Sequence, residues 1–371
     1  MRRVGLATFG IVSFAVLGIL SAVDRMASAH LRSVAPQRRR EWQLLSVTQD
    51  TVTVPRNADT ARQGQYGIAW DGRTATVGEI VAIDETTVTR RLLGTTQLPT
   101  VGSAVSWIKG AYRGDPRSTH GLVFENVCIP GPLGPLPAWL VPGPRRTWVL
   151  LVHGFRATRE EALRILPTLA RLGVPALVTT YRNDAGAPPS PDGLYHLGDT
   201  EWQDVAAGVT YALEHGAEGV VLFGWSMGGC LVETFMQRSP EAKRVRAVIL
   251  DSPIVSYRWV IAAEARRRRL PGWSVPLLAM VIERRAGANL ATLARGCPQS
   301  TVAPPTLLMH GTNDGLVPVA SSDSFARDHA PHVTYYRLEG ADHTLLWNAN
   351  PPTYERMVAA FLEEAVGVWA N

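Results

Sequence analysis

The chain has 371 residues, 46% hydrophobic and 19% charged, the balance of a globular protein with room for one large domain and a smaller one. Its net charge of +5 sits in residues 1–45, where seven arginines stand against Asp24 and Glu41, so the remainder is formally neutral and offers no basic face for nucleic acid. With Lys109 and Lys243 its only lysines, and Cys128, Cys230 and Cys297 in no CxxC spacing, the composition argues against Schiff-base or P-loop chemistry, a disulfide framework and a zinc site.

Residues 4–23 hold no charged side chain, and their length suits one bilayer-spanning helix better than a short signal sequence. The reading is a single N-terminal membrane anchor, with anionic headgroups as the counter-charge of the flanking arginines. Ala27-Ser28-Ala29 leaves a cleaved, secreted form as the alternative. Orientation stays open, because Arg2 and Arg3 on one flank face Arg25, Arg32 and Arg38 to Arg40 on the other. Anchor and basic linker occupy 1–43.

A small β-rich region is expected over 44–115. Its strands are read at 44–54, 66–70, 74–83 and 87–93, parted by turn-rich pieces such as Trp70-Asp71-Gly72. No catalytic grouping appears in it, and an accessory domain and a substrate-binding module are both compatible with it. The Gly/Pro-containing polar stretch 110–120 is the boundary.

The rhythm then changes. Segments 122–129 and 136–141 flank Pro130-Gly131-Pro132-Leu133-Gly134-Pro135 as a hairpin. Strands are expected at 147–152, 176–181, 220–224, 246–250, 306–309 and 333–338. Helices are expected at 160–172, 200–216, 227–238, 319–329 and 353–366. Continuous apolar strands alternating with helices imply a mostly parallel sheet covered on both faces, with its active site beyond the strands' carboxyl ends. Residues 254–303 interrupt the alternation as a helical lid. Arg266 to Arg269 and the apolar run 273–282 give that lid an amphipathic character, solvated or resting on a membrane.

Gly224-Trp225-Ser226-Met227-Gly228 lies between a strand and a helix. A serine in that turn has its hydroxyl raised above the sheet edge, and the helix N-terminus adds positive potential. The chain here resembles the α/β-hydrolase superfamily over residues 122–371, in its esterase, prolyl-oligopeptidase-like and serine-aminopeptidase-like branches. The likeness extends to actinobacterial, membrane-anchored members. His310-Gly311-Thr312-Asn313-Asp314-Gly315-Leu316-Val317-Pro318 is similar to the family's HGxxDxxVP acid loop, and Gly340-Ala341-Asp342-His343-Thr344 to its histidine loop. His153-Gly154-Phe155 resembles its oxyanion loop.

The resemblance implies a Ser226–His343–Asp314 triad, an oxyanion hole from the amides of Phe155 and Met227, and a domain spanning 120–371. Asp251 and Asp342 are rival acids. His153, His196 and His310 read as structural residues, Cys230 as a small buried apolar one, and the remaining histidines as surface or loop residues. Asp199 or Thr200 is expected to cap the helix that follows. Hydrolysis of a carboxylic ester or thioester, small or lipid-like, is the leading expectation. Peptidase activity and acyl transfer are the alternatives on the same triad, and a non-catalytic binding scaffold is the remote one. No cofactor or metal is called for: the chain holds no HExxH, Walker A or Rossmann glycine pattern. The oligomeric state is left open.

Overall fold

The structure, a computed structural model, describes residues 31–32, 41–94, 97–294 and 303–365. The apolar run 4–23, Cys297 and the end of the lid segment lie outside the described residues. Among the described residues, no helix is long and apolar enough to cross a membrane.

The first region is one antiparallel sheet of β1 (Glu41–Gln43), β2 (Ser46–Val47), β3 (Thr51–Pro55), β4 (Tyr66–Trp70), β5 (Arg73–Ile83), β6 (Thr87–Leu93) and β7 (Ala104–Ile108). Its spatial order is β1-β7-β4-β5-β6-β3-β2. The single strand expected at 44–54 is two short ones, β2 and β3. The Thr48 hydroxyl accepts from the amides of Asp50 at 3.3 Å and Thr51 at 3.0 Å and so reverses the chain. β7, unrecognised in the sequence, pairs with both β1 and β4.

This sheet's core also buries a cation. Arg90 is fully buried, donating to the carbonyls of Thr60, Arg62, Gly64 and Gly78, with the Tyr66 ring 5.3 Å and the Trp107 ring 5.6 Å from its guanidinium carbon. Carbonyl oxygens and ring faces take the place of a carboxylate. The arrangement draws the 56–65 loop into a fixed shape.

The second region holds β8 (Glu125–Gly131), β9 (Gly134–Val141), β10 (Thr147–Val152), β11 (Ala176–Val178), β12 (Gly219–Trp225), β13 (Val245–Asp251), β14 (Thr306–Gly311) and β15 (Val333–Leu338). The order is β15-β14-β13-β12-β10-β11-β9-β8, parallel from β15 to β11 and antiparallel at β9 and β8. Period-2 alternation distributes the apolar residues to both faces. Leu150, Val152, Val220 and Leu222 join the core beneath Trp202–Glu214 and Met227–Arg238. Val149, Leu151, Val221 and Phe223 join the opposite core, under Leu166–Arg171 and Pro351–Ala365.

Three local expectations are corrected. The helix expected at 160–172 is a 3-10 stretch, Arg159–Arg164, followed by the short helix Leu166–Arg171. Pro167 has no N–H to give the Leu163 carbonyl, which accepts instead from His120 Nε2 at 2.9 Å. His120 is therefore a packed residue, edge-on to Tyr112, not a surface one. Trp202–Glu214 begins without a side-chain cap. Asp199 pairs with Arg238 at 2.8 Å, and the Thr200 hydroxyl binds His196 Nδ1 at 2.9 Å.

The two regions meet along the chain that follows β15. Leu345 packs into the core of the first sheet. Asn348, fully buried, donates to the carbonyls of Gln65 at 2.6 Å and Lys109 at 2.7 Å and accepts from the Gln65 amide at 2.8 Å through its own carbonyl. A Cβ on Gly64 would sit 2.3 Å from the Asn348 carbonyl oxygen, so only glycine permits this approach.

Candidate active site

Ser226 follows β12 and immediately precedes Met227–Arg238. Its φ of 51° and ψ of −116° lie in sparsely populated backbone space. The turn is tight because strand, helix and β10 crowd together. A Cβ on Gly224 would fall 2.6 Å from the Gly229 amide, and one on Gly228 would fall 2.1 Å from the Val152 carbonyl. Both glycines of the motif answer to backbone collision. The turn is held from the neighbouring strand, where the Asp251 carbonyl accepts from the Ser226 amide at 3.0 Å.

Asp314 follows β14 and His343 follows β15. The three predicted residues come together: His343 Nε2 lies 2.8 Å from Ser226 Oγ, and His343 Nδ1 lies 2.7 Å from Asp314 Oδ2. The other carboxylate oxygen of Asp314 accepts from the amides of Leu316 at 2.8 Å and Val317 at 2.7 Å. His310 Nε2 is 3.0 Å from Asp314 Oδ2 and 3.0 Å from the Val317 carbonyl. Both are acceptors, so that nitrogen carries the proton, while Nδ1 accepts from the Ser322 hydroxyl at 2.7 Å. Burial alone would raise the Asp314 carboxyl, but the hydrogen bonds from His310 and His343 outweigh it and hold Asp314 well below the usual carboxylate range.

Among known proteins, a model of the prolyl oligopeptidase family matches residues 191–368. A model described as a domain of unknown function (DUF8805) matches residues 43–108. The uncharacterized protein YqkD of Bacillus subtilis (strain 168) is 24% identical over 220 residues, which is 58% of this chain and 70% of that one. The esterase Pf2001 of Pyrococcus furiosus superposes with a TM-score of 0.54 at 19% identity, covering 68% of this chain and 95% of that one. The chain has the α/β-hydrolase fold.

In this hydrolase fold the rival acids do other work. Asp251 accepts from the Tyr354 hydroxyl at 2.8 Å and the Ser252 hydroxyl at 2.9 Å, and burial raises its carboxyl above the usual value. Ser252 in turn accepts from the Thr344 amide at 3.1 Å, so Asp251 props the histidine loop from beneath. Asp342 accepts from the His343 amide at 2.7 Å and the Gly315 amide at 3.2 Å. Its second oxygen takes the Arg62 guanidinium at 2.8 Å. It thereby ties acid loop, histidine loop and first sheet together. Neither aspartate has a hydrogen bond to the His343 ring among those described.

The oxyanion-loop residues are placed beside the serine. A Cβ on Gly154 would lie 3.2 Å from Ser226 Cβ. Gly154 to Ala157 forms a turn closed by the Ala157 amide on the Gly154 carbonyl at 3.1 Å, a bond that uses neither the Phe155 nor the Arg156 N–H. The Gly154 amide is fixed by Glu161 at 2.8 Å, and its carbonyl accepts from the Tyr181 hydroxyl at 2.9 Å. His153, buried, stacks on Tyr181 and sets Nε2 2.8 Å from Asp184. Burial alone would lower that imidazole, but the Asp184 carboxylate leaves it above its ordinary value. Met227 occupies the first helical position, buried behind the turn.

Several supports of the site carried no sequence signal. Arg164 reaches the Thr344 carbonyl at 2.6 Å and Asn348 at 3.2 Å. Arg62 reaches Asp342 across 280 positions. The buried Glu201 folds back to accept from the amides of His196 at 2.6 Å and Gly198 at 2.9 Å, while the Tyr257 hydroxyl from the lid donates to the Leu197 carbonyl at 2.8 Å. Strand ends can be read from hydrophobic periodicity; tertiary partners of isolated arginines cannot. Among the described residues, no group of three or more His, Cys, Asp or Glu side chains could hold a metal ion.

Proposed function

We propose that this protein is a serine hydrolase that cleaves a carboxylic ester or thioester through an acyl-enzyme. The observation that carries the reading is the unbroken chain Ser226 Oγ–His343–Asp314, with links of 2.8 and 2.7 Å. In this reading His343 Nε2 takes the serine proton as Ser226 Oγ attacks the acyl carbon, because a free serine hydroxyl is a poor nucleophile. Asp314, kept ionised, holds the imidazole with its proton on Nδ1 and balances the imidazolium that forms. The Phe155 and Met227 amides take the charge that develops on the carbonyl oxygen. His343 returns its proton to the leaving oxygen or sulfur, and water repeats the sequence on the acyl-enzyme. The esterase named among the structural neighbours favours an ester.

Peptidase activity is the second reading, favoured by the prolyl-oligopeptidase match over residues 191–368. The same triad serves both reactions, so the leaving group decides between them. The apolar run 4–23 supports attachment to a membrane as a single N-terminal anchor. The test is fluorophosphonate labelling of the full chain in detergent, followed by matched ester and peptide panels. Label on the wild type but not on Ser226→Ala or His343→Ala is the expected outcome. An unlabelled, folded wild type overturns the reading.

A further inference from the structure

A cleft of about 680 Å³ lies where the first sheet meets the hydrolase fold. Its lining takes His343, Phe155 and Leu316 from the hydrolase fold and Arg62, Ile108, Lys109 and Gly110 from the first sheet's side of the chain. The second set belongs wholly to the β-rich region. The chain after His343 is bound to that region through Leu345 and Asn348, so the two sets are held together as one structure.

The chemistry gives this cleft a direction. In the first half-reaction the bond from Ser226 Oγ to the acyl carbon forms as the bond from that carbon to the leaving oxygen breaks. The leaving oxygen keeps the electron pair and takes its proton from His343 Nε2. The departing group therefore leaves on the side His343 faces. In the second half-reaction water enters from the same side: its oxygen bonds to the acyl carbon as its proton passes to His343, the bond to Ser226 Oγ breaks, and that oxygen takes the proton back from His343.

We propose that the β-rich region forms one wall of the leaving-group site, and that this site takes a bulky, uncharged alcohol rich in hydroxyl groups. Size is the first argument. A volume of about 680 Å³ falls within the ~300–1,000 Å³ typical of small-molecule sites, and methanol or ethanol would leave nearly all of it to water. Charge is the second. Arg62 is paired with Asp342 at 2.8 Å, Lys109 with Asp59 at 3.4 Å, Arg164 with Glu161 at 3.3 Å, and Arg267 with Glu264. A charged ligand would compete with these pairs, whereas a hydroxyl can accept from the cation and donate to the carboxylate of an intact pair. Tyr112 and Phe155 add ring surface to the lining, suited to the C–H faces of such a ligand.

The proposal rests on the serine-hydrolase reading and is tested separately from it. The full chain in detergent is assayed on two esters with one acyl group, methyl butyrate and 6-O-butyryl methyl glucoside, by pH-stat. The wild type is expected to prefer the glucoside at least tenfold in kcat/KM. Gly110 has no neighbour within 4 Å of where a Cβ would stand, so Gly110→Trp can fill the cleft. That variant is expected to bring the preference below twofold, with KM carrying the change. Lys109→Trp, on a side chain 61% exposed, repeats the blockage should the glycine variant misfold. Equal rates on both esters in the wild type, or a preference kept in whichever variant folds, overturns the proposal while leaving the serine-hydrolase reading standing. A wild type that hydrolyses neither ester and takes no fluorophosphonate sinks both.

Discussion

Replacing Asp314 by asparagine separates the proposed acid from its rivals, because every oxygen of that carboxylate is committed. One oxygen receives His343 Nδ1 and His310 Nε2; the other receives the amides of Leu316 and Val317. An asparagine must turn its NH2 toward one of these pairs, and both pairs are donors. If it faces the imidazoles, His343 moves its proton to Nε2, donates to Ser226 and ceases to be a base. If it faces the backbone, two amides lose their acceptor, at about 1–3 kcal/mol each. The first arrangement removes the base, and the second holds the active tautomer only as a minority state. A fall of roughly 10³–10⁴ in kcat is expected, as for other triads that lose the tautomer, equivalent to about 4–5 kcal/mol of barrier. Asp251→Asn is the internal comparison: its partners are the two hydroxyls of Tyr354 and Ser252, which can rotate to suit an amide. It should stay within tenfold of wild type. Single-turnover acylation of a chromogenic ester measures both. An Asp314→Asn enzyme with more than a tenth of wild-type kcat, or an Asp251→Asn enzyme as crippled as expected of Asp314→Asn, refutes the assignment. Stability supplies a second readout. A carboxyl held below its unfolded value stabilises the fold above that value and loses the effect as pH falls toward the folded one. The stability gap between wild type and Asp314→Asn should therefore be flat from pH 5 to 8 and close below about pH 4.

Four other outcomes follow from buried groups and from the N-terminus. Arg90→Met orphans carbonyls of Thr60, Arg62, Gly64 and Gly78, and should lower stability by about 3–5 kcal/mol in denaturant melts of the full chain. Glu233 is buried and its carboxyl is pushed up to about 7 by that burial alone, so wild-type stability should fall as pH rises from 4.5 to 7 and level off above. Glu233→Gln should remove that slope and gain about 3 kcal/mol on the wild type by pH 8. Burial pushes the Cys230 thiol up to about 12, whereas Cys128 is exposed, so iodoacetamide at pH 8 should modify Cys128 and spare Cys230 in peptide maps of the native protein. Full-length protein should remain in the membrane fraction after carbonate extraction, and a chain lacking residues 1–40 should not; release of the full-length form would remove the anchor reading.

The serine, acid and histidine loops could be read because each depends on something local. A buried parallel strand shows as a short apolar run, and the residue after it stands at the sheet's carboxyl edge. Ser226, Asp314 and His343 follow β12, β14 and β15, which lie on one side of the sheet in that order with β13 between the first two. Their convergence is then a consequence of topology. The glycines of the serine turn were legible for the same reason, since collision with Val152 and Gly229 follows from strand and helix crossing there. Boundaries were less legible where one residue overrides a pattern. Pro167 splits an apparently continuous amphipathic helix, and the Thr48 hydroxyl breaks an apparently continuous strand.

What could not be read is what the first sheet does for the second. Its strands announce themselves by alternation, but its docking uses backbone and side-chain polar groups far apart in sequence: Gln65 and Lys109 with Asn348, and Arg62 with Asp342. No periodicity marks such pairs, and each residue alone passes for a solvated loop residue. Asp342 shows the cost of reading locally. As a neighbour of His343 it looks like a rival acid, yet the carboxylate that caps the His343 amide cannot also reach that residue's ring. It is free only to face outward, where Arg62 meets it. An accessory domain that merely spaced the hydrolase fold from a membrane would have no need to grip the loop carrying His343, the proposed base. That this one does, through a charged pair and a buried asparagine, is the physical reason to treat residues 44–115 as part of the site.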